Sequence, residues 1–62
     1  MKFIKFTTIE GKLIYINPMG INSIDQIKAT EETSLKIMLC LDNGTQYTTE
    51  EITNVFSQLD NL

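Results

Sequence analysis

The chain has no histidine, no tryptophan, one cysteine and one proline in 62 residues, and beyond Lys36 it has no basic residue at all. Each absence removes a class of function. Without histidine the commonest general base and metal ligand is gone, so a serine or Cys40 nucleophile has only a carboxylate or a lysine to activate it. A single cysteine can neither close an internal disulfide nor build a zinc knuckle. Gly11, Gly20 and Gly44 stand alone at turns, which leaves no glycine-rich loop to cradle a phosphate. No apolar run approaches the roughly 18 residues of a membrane span, and the opening MKFIKFTTIEG lacks the apolar core of roughly 7–15 residues that a signal peptide needs. The expectation is a cytoplasmic protein that is not an enzyme and holds no cofactor or metal.

Apolar residues make up 42% of the chain and charged residues 21%, the composition of an ordinary globular domain rather than a disordered or fibrous one. Residues 1–62 read as a single domain. A domain this short buries only about 60% of the surface its unfolded chain exposes, so its stability is marginal and association with other chains supplements it. The formal charge of −3 is unevenly placed. Residues 1–28 carry Lys2, Lys5, Lys12 and Lys28 against Glu10 and Asp25; residues 29–62 carry Lys36 against Glu31, Glu32, Asp42, Glu50, Glu51 and Asp60. A protein that neutralises phosphates needs a basic face, so the overall balance argues against nucleic acid as the main partner. A local basic patch of Lys2, Lys5 and Lys12 is the exception to test.

The β-branched and aromatic stretches KFIKFTTI (2–9) and KLIYIN (12–17), separated by Glu10-Gly11, predict a hairpin. Leu13, Ile14, Tyr15 and Ile16 run without alternation, which predicts a second strand covered on both faces. Asn17-Pro18 stops it, because proline has no N–H for the ladder. Isoleucines at 21, 24 and 27 fit neither the helical nor the strand period; a strand with a β-bulge near Ser23 puts Ile21 and Ile24 on one side and Ile27 on the other. KATEETS (28–34) reads as a polar loop. SLKIMLCL (34–41) is the clearest strand, with Leu35, Ile37, Leu39 and Leu41 on the core face and Lys36, Met38 and Cys40 on the opposite one.

The stretch LDNGTQYTTEE (41–51) combines several signals. Asn43-Gly44 predicts a type I′ hairpin turn, TQYT (45–48) a short strand, and Thr48 three residues before Glu51 a capping box at the start of a helix. Ile52, Val55, Phe56, Leu59 and Leu62 then form one apolar stripe, leaving Thr53, Asn54, Ser57, Gln58 and Asp60 for solvent. Asn43-Gly44-Thr45 matches a glycosylation sequon, but acceptance requires a secretory route. The carboxylates around it lack the alternate spacing of a calcium loop. The predicted fold is α+β and mainly β: four to five antiparallel strands in meander order, or a small open barrel, with one C-terminal α-helix.

One helix cannot cover both faces of a sheet, and the sequence has apolar residues for both. Either the sheet curls into a small barrel plugged by the helix, or the face of Lys36, Met38 and Cys40 is an interface with a second copy or a protein partner.

The order Gly11-Lys12, Ile16-Asn17-Pro18, Ile21, Ile24, Ile37, Leu39, Asn43-Gly44, Tyr47 and Glu50 or Glu51 before the Val55 helix resembles the small bacterial flagellar accessory family FlbD (SwrD), and similar short proteins associated with mobile elements. The resemblance runs from Lys5 to Leu59. It implies a small cytoplasmic β-rich accessory protein, with no catalytic residues to carry over. The expected function is a non-enzymatic interaction module that forms homo-oligomers and binds a protein. The alternative is a small-barrel inhibitor from a phage or mobile element, or a ligand or nucleic-acid binder.

Overall fold

In a computed structural model, which describes residues 2–27 and 34–62, the fold is mainly β with one C-terminal helix, in the α+β class. Five strands follow in order: β1 (Ile4–Thr7), β2 (Leu13–Ile16), β3 (Ile21–Ile27), β4 (Lys36–Leu41) and β5 (Gln46–Thr49), then the helix α1 (Ile52–Asp60). They form two open antiparallel sheets, β1–β2 and β3–β4–β5. The polar loop expected over 28–34 lies outside the described residues apart from Ser34.

The two sheets separate where the sequence breaks. Asn17 accepts a hydrogen bond from the Met19 amide through Oδ1 (2.9 Å), and Pro18, with its φ already fixed, opens a single 3-10 turn over Pro18–Gly20. The chain therefore leaves β2 without pairing to β3. The predicted bulge is present: Ile21 faces Leu41 and Ser23 faces Cys40, so Asn22 is the extra residue. Its consequence is also as expected, since Ile21 and Ile24 pack on the core while Ile27 is exposed.

Both sheets turn by one kind of loop. Gly11 N donates to Thr8 O (2.9 Å) and Thr8 N to Lys12 O (2.8 Å); Gly44 N donates to Leu41 O (3.0 Å) and Leu41 N to Thr45 O (2.8 Å). Gly11 and Gly44 have φ of 87° and 89°. This is the three-residue hairpin loop that ends in a left-handed glycine. The type I′ turn expected at Asn43-Gly44 is thereby corrected, because no residue other than glycine has positive φ among those described. Asn43 instead holds the loop with its side chain, accepting from Thr45 N at 2.9 Å.

The core comprises Ile4, Phe6, Ile16, Ile37, Leu39 and Val55, one or two side chains from each of four elements. Phe6 meets Tyr47 edge-on, with ring centroids 6.1 Å apart, which ties β1 to β5 across the sheets. Ile9 N also donates to Thr48 O at 3.0 Å. Strand β2 is covered on one face only, against the expectation from its apolar run: Leu13 and Tyr15 are each 58% exposed. The inner face of the two-stranded sheet packs against Ile37, Leu39, Tyr47 and Val55, and Leu13 and Tyr15 on its outer face are left exposed. No helix among the described residues is long and apolar enough to cross a membrane.

The helix start is also corrected. Thr48 does not cap it, since β5 runs on through Thr49, which pairs with Ile37. Glu51 is the N-cap residue and makes no side-chain cap bond; its N–H donates to Thr49 Oγ1 at 3.0 Å. The predicted apolar stripe narrows to Ile52, Val55 and Leu59, while Phe56 and Leu62 are exposed.

Candidate functional site

The helix face assigned to solvent by its composition is bonded to a strand. In β1, Ile4 and Phe6 point their side chains to the core, and the backbone groups of Lys5 and Thr7 face away from β2. Gln58 takes both polar groups of Lys5, its Oε1 accepting from Lys5 N (2.9 Å) and its Nε2 donating to Lys5 O (2.7 Å). Asn54 Nδ2 donates to the same carbonyl at 3.2 Å. One turn earlier Glu51 Oε2 accepts from Thr7 N (3.2 Å), and Thr49 Oγ1 donates to Thr7 O (2.7 Å). Asn54 also bridges the other two helix residues, donating to Glu51 Oε1 (2.8 Å) and accepting from Gln58 Nε2 (3.0 Å). Residues 51, 54 and 58 thus act as a substitute strand made of side chains. An open strand edge invites pairing with other chains, and this one is closed.

The outward faces of the two sheets are finished differently. On β3–β4–β5, the structure brings Lys36, Met38 and Cys40 together on one face, as the period of two requires. All three are half-buried. Met38 lies between Asp25 and Thr48, and Cys40 between Ser23 and Gln46. Cys40 Sγ sits 3.6 Å from Asp25 Oδ2 and donates to it, a weak contact that gives the thiol a polar neighbour. Polar cross-strand neighbours thus dilute the apolar character of this face.

On β1–β2 the outward residues are Lys5 and Thr7, with Tyr15 opposite Lys5 and Leu13 opposite Thr7, while Phe3 precedes the strand and lines a hollow with Ser57, Gln58 and Leu62. Phe3, Leu13 and Tyr15 are each 58% exposed. Two hollows in the surface flank this hairpin. One, of about 420 Å³, lies between the edge of β2 and the β4–β5 loop and is lined by Tyr15, Asn17, Asp42 and Tyr47 among others. The other, of about 310 Å³, is formed by Lys2, Pro18, Met19 and Leu62. Neither brings together an acid, a base and a nucleophile. Among the described residues no three histidine, cysteine, aspartate or glutamate side chains converge to hold a metal ion.

Sequence reasoning missed Leu13 and Tyr15 as surface residues because the unbroken run LIYI looks the same in a strand covered twice and in one covered once. The signal that could have found them is the count of cover: a single helix, already required by the inner face. In comparisons with family models, curated proteins and solved structures, the chain has no match.

Proposed function

We propose that this chain is a small, non-enzymatic cytoplasmic accessory module that self-associates and binds a protein partner. The observation that carries the reading is the contrast in burial. Six apolar side chains are buried, while Leu13 and Tyr15 stand exposed on one sheet face and Phe3 is exposed just before it. Contiguous exposed apolar surface marks contacts between chains, and a core of this size gains from being completed by another molecule. The face of Lys36, Met38 and Cys40 is a second candidate contact.

Light scattering after gel filtration at tens of micromolar tests it. A mass at multiples of 7.1 kDa is the expected result, and a strict monomer removes self-association. The double variant Met38→Lys with Cys40→Ser addresses the second face; assembly and partner binding unchanged by it eliminate that face.

One observation favours a nucleic-acid reading: the exposed ring of Tyr15 lies opposite Lys5, and base stacking on aromatics next to cations is how single strands are held. The chain's net charge of −3 opposes it. Anisotropy of a labelled 15-residue oligothymidylate at low salt separates the two, and no change on adding protein eliminates this alternative.

A further inference from the structure

We infer that the outer edge of β2 pairs antiparallel with the same edge of a second copy, about a two-fold axis at Ile14, so that two hairpins become one four-stranded sheet. The inference rests on the self-association proposed above and names its contact. In an antiparallel pair, alternate residues turn N–H and C=O toward the partner strand and the others turn them away. Lys5 and Thr7 turn theirs to Gln58, Glu51 and Thr49, so their cross-strand neighbours Tyr15 and Leu13 turn theirs to the far side of β2. Lys12 O accepts from Thr8 N and so keeps the same phase, with the even-numbered residues of β2 facing β1. Among the described residues β2 has no second strand neighbour, and nothing bonds to the outward backbone groups of Leu13 and Tyr15. The two edges of one hairpin thus differ: Gln58 and Glu51 seal β1, and β2 is open to an added strand.

Hydrogen bonding and charge both select a second copy as that strand. With Leu13 opposite Tyr15 of the copy, and Tyr15 opposite its Leu13, every open group of the edge finds a partner. A two-fold centred on Tyr15 would call instead on Asn17 O, which already accepts from Gly20 N, and one centred on Leu13 on Gly11 N, which already donates to Thr8 O. The favoured register sets Lys12 of the copy opposite Ile16, beside the hollow of about 420 Å³ that Asp42 lines and no basic residue of its own chain does. Lys12 and Asp42 are both exposed, and the symmetry lets them attract twice across the axis. The exposed side chains of Leu13 and Tyr15 become cross-strand pairs on the outer face. Lys5 does not oppose the contact: the two β1 strands stand three strand spacings apart, about 14 Å, which exceeds the screening length at physiological salt. The interface is isologous and closes at a dimer, since the ends of the combined sheet are the β1 edges that Gln58 and Glu51 already seal.

The test uses the full chain. Sedimentation velocity is expected to show a dimer, twice 7.1 kDa. Amide exchange followed by nuclear magnetic resonance at rising concentration is expected to slow at Leu13 and Tyr15 by at least roughly tenfold as the dimer forms. Tyr15→Pro removes an N–H that the hairpin itself does not use, so the fold is expected to persist while the dimer needs at least roughly tenfold higher concentration. Lys12→Glu is expected to weaken the dimer, and Asp42→Lys added to the same chain to restore it, a recovery that a loss of folding cannot produce. A monomeric wild type overturns the self-association reading and this inference together. A wild type that assembles while its Leu13 and Tyr15 amides exchange as in the monomer overturns the edge pairing alone, as does a folded Tyr15→Pro chain that assembles like wild type or a Lys12→Glu chain that Asp42→Lys does not rescue. Should Tyr15→Pro fail to fold, the exchange measurement on the wild type decides.

Discussion

The loop from Thr8 to Lys12 and the loop from Leu41 to Thr45 have one residue in common, the glycine at their fourth position, yet they make the same two backbone hydrogen bonds at φ values of 87° and 89°. The hairpins they close then diverge. The strands β4 and β5 belong to a three-stranded sheet whose outward face carries Asp25, Thr48, Ser23 and Gln46 between its apolar members. The hairpin of β1 and β2 has Lys5, Thr7, Leu13 and Tyr15 on its outward face, and its β1 edge is closed by side chains of Gln58 in α1 and of the N-cap residue Glu51. Local geometry is thus set by one glycine, whereas the fate of each surface is set by what the rest of the chain can place on it. The β1–β2 hairpin thus has a closed edge and an open apolar face, while the outward face of β3–β4–β5 is interrupted by polar side chains.

The comparison breaks most severely if the two sheets are not one unit. Phe6 on β1 and Leu39 on β4 are both in the single core, so Phe6→Ala and Leu39→Ala should each remove about 3–5 and 2–5 kcal/mol, close to the whole stability of so small a domain. Urea unfolding followed by circular dichroism and by tyrosine fluorescence should show one transition for both probes. Two separate transitions in the Leu39 variant would mean that β1–β2 folds independently.

Next in size is the polar joint. Thr49 is completely buried, donates to Thr7 O and accepts from Glu51 N, so Thr49→Val keeps the shape and strands both partners. A loss of about 2 kcal/mol in the same unfolding experiment is expected. A smaller effect, below about 0.5 kcal/mol, means that water replaces the hydroxyl there.

The twin loops supply a sharper, smaller test. A methyl group at Gly11 or Gly44 meets nothing within 4 Å, so alanine at either position reports the backbone conformation alone. Gly11→Ala and Gly44→Ala should each lower stability by about 1–2 kcal/mol, and by the same amount. Unequal losses would show that the loops share hydrogen bonds but not conformational cost. The smallest effect is reserved for Gln58→Ala. Its bonds to Lys5 are exposed, so about 0.5 kcal/mol is expected, together with faster hydrogen exchange at the Lys5 amide. Unchanged exchange there would remove the substitute strand.

Much of the fold was legible because its signals are local. Asn17-Pro18 ends β2, the spacing of Ile21, Ile24 and Ile27 encodes the bulge, and alternation through Ile37 and Leu39 marks the core face of β4. The misreadings have a common physical origin in contacts distant along the chain. Thr48 and Thr49 are equivalent as capping candidates until the pairing of Thr49 with Ile37 decides which belongs to the strand. Asn54 and Gln58 look like any solvated helix residues, because an amide satisfied by a strand edge and one satisfied by water have the same sequence. For the candidate surface, the period of two does place Lys36, Met38 and Cys40 on one face. Their half-burial depends on Asp25 and Thr48 from neighbouring strands, and the pairing register that brings those neighbours is not a local property.

The substitute strand also bears on how the chain is made. Lys5 is synthesised 53 residues before Gln58, the side chain that closes its outer edge. At a ribosomal rate of about 5–20 residues per second, the residues of the first hairpin are made seconds before the side chains that seal their edge. The domain therefore completes its fold only after translation has passed α1, because the core and the sealed edge both need side chains from that helix.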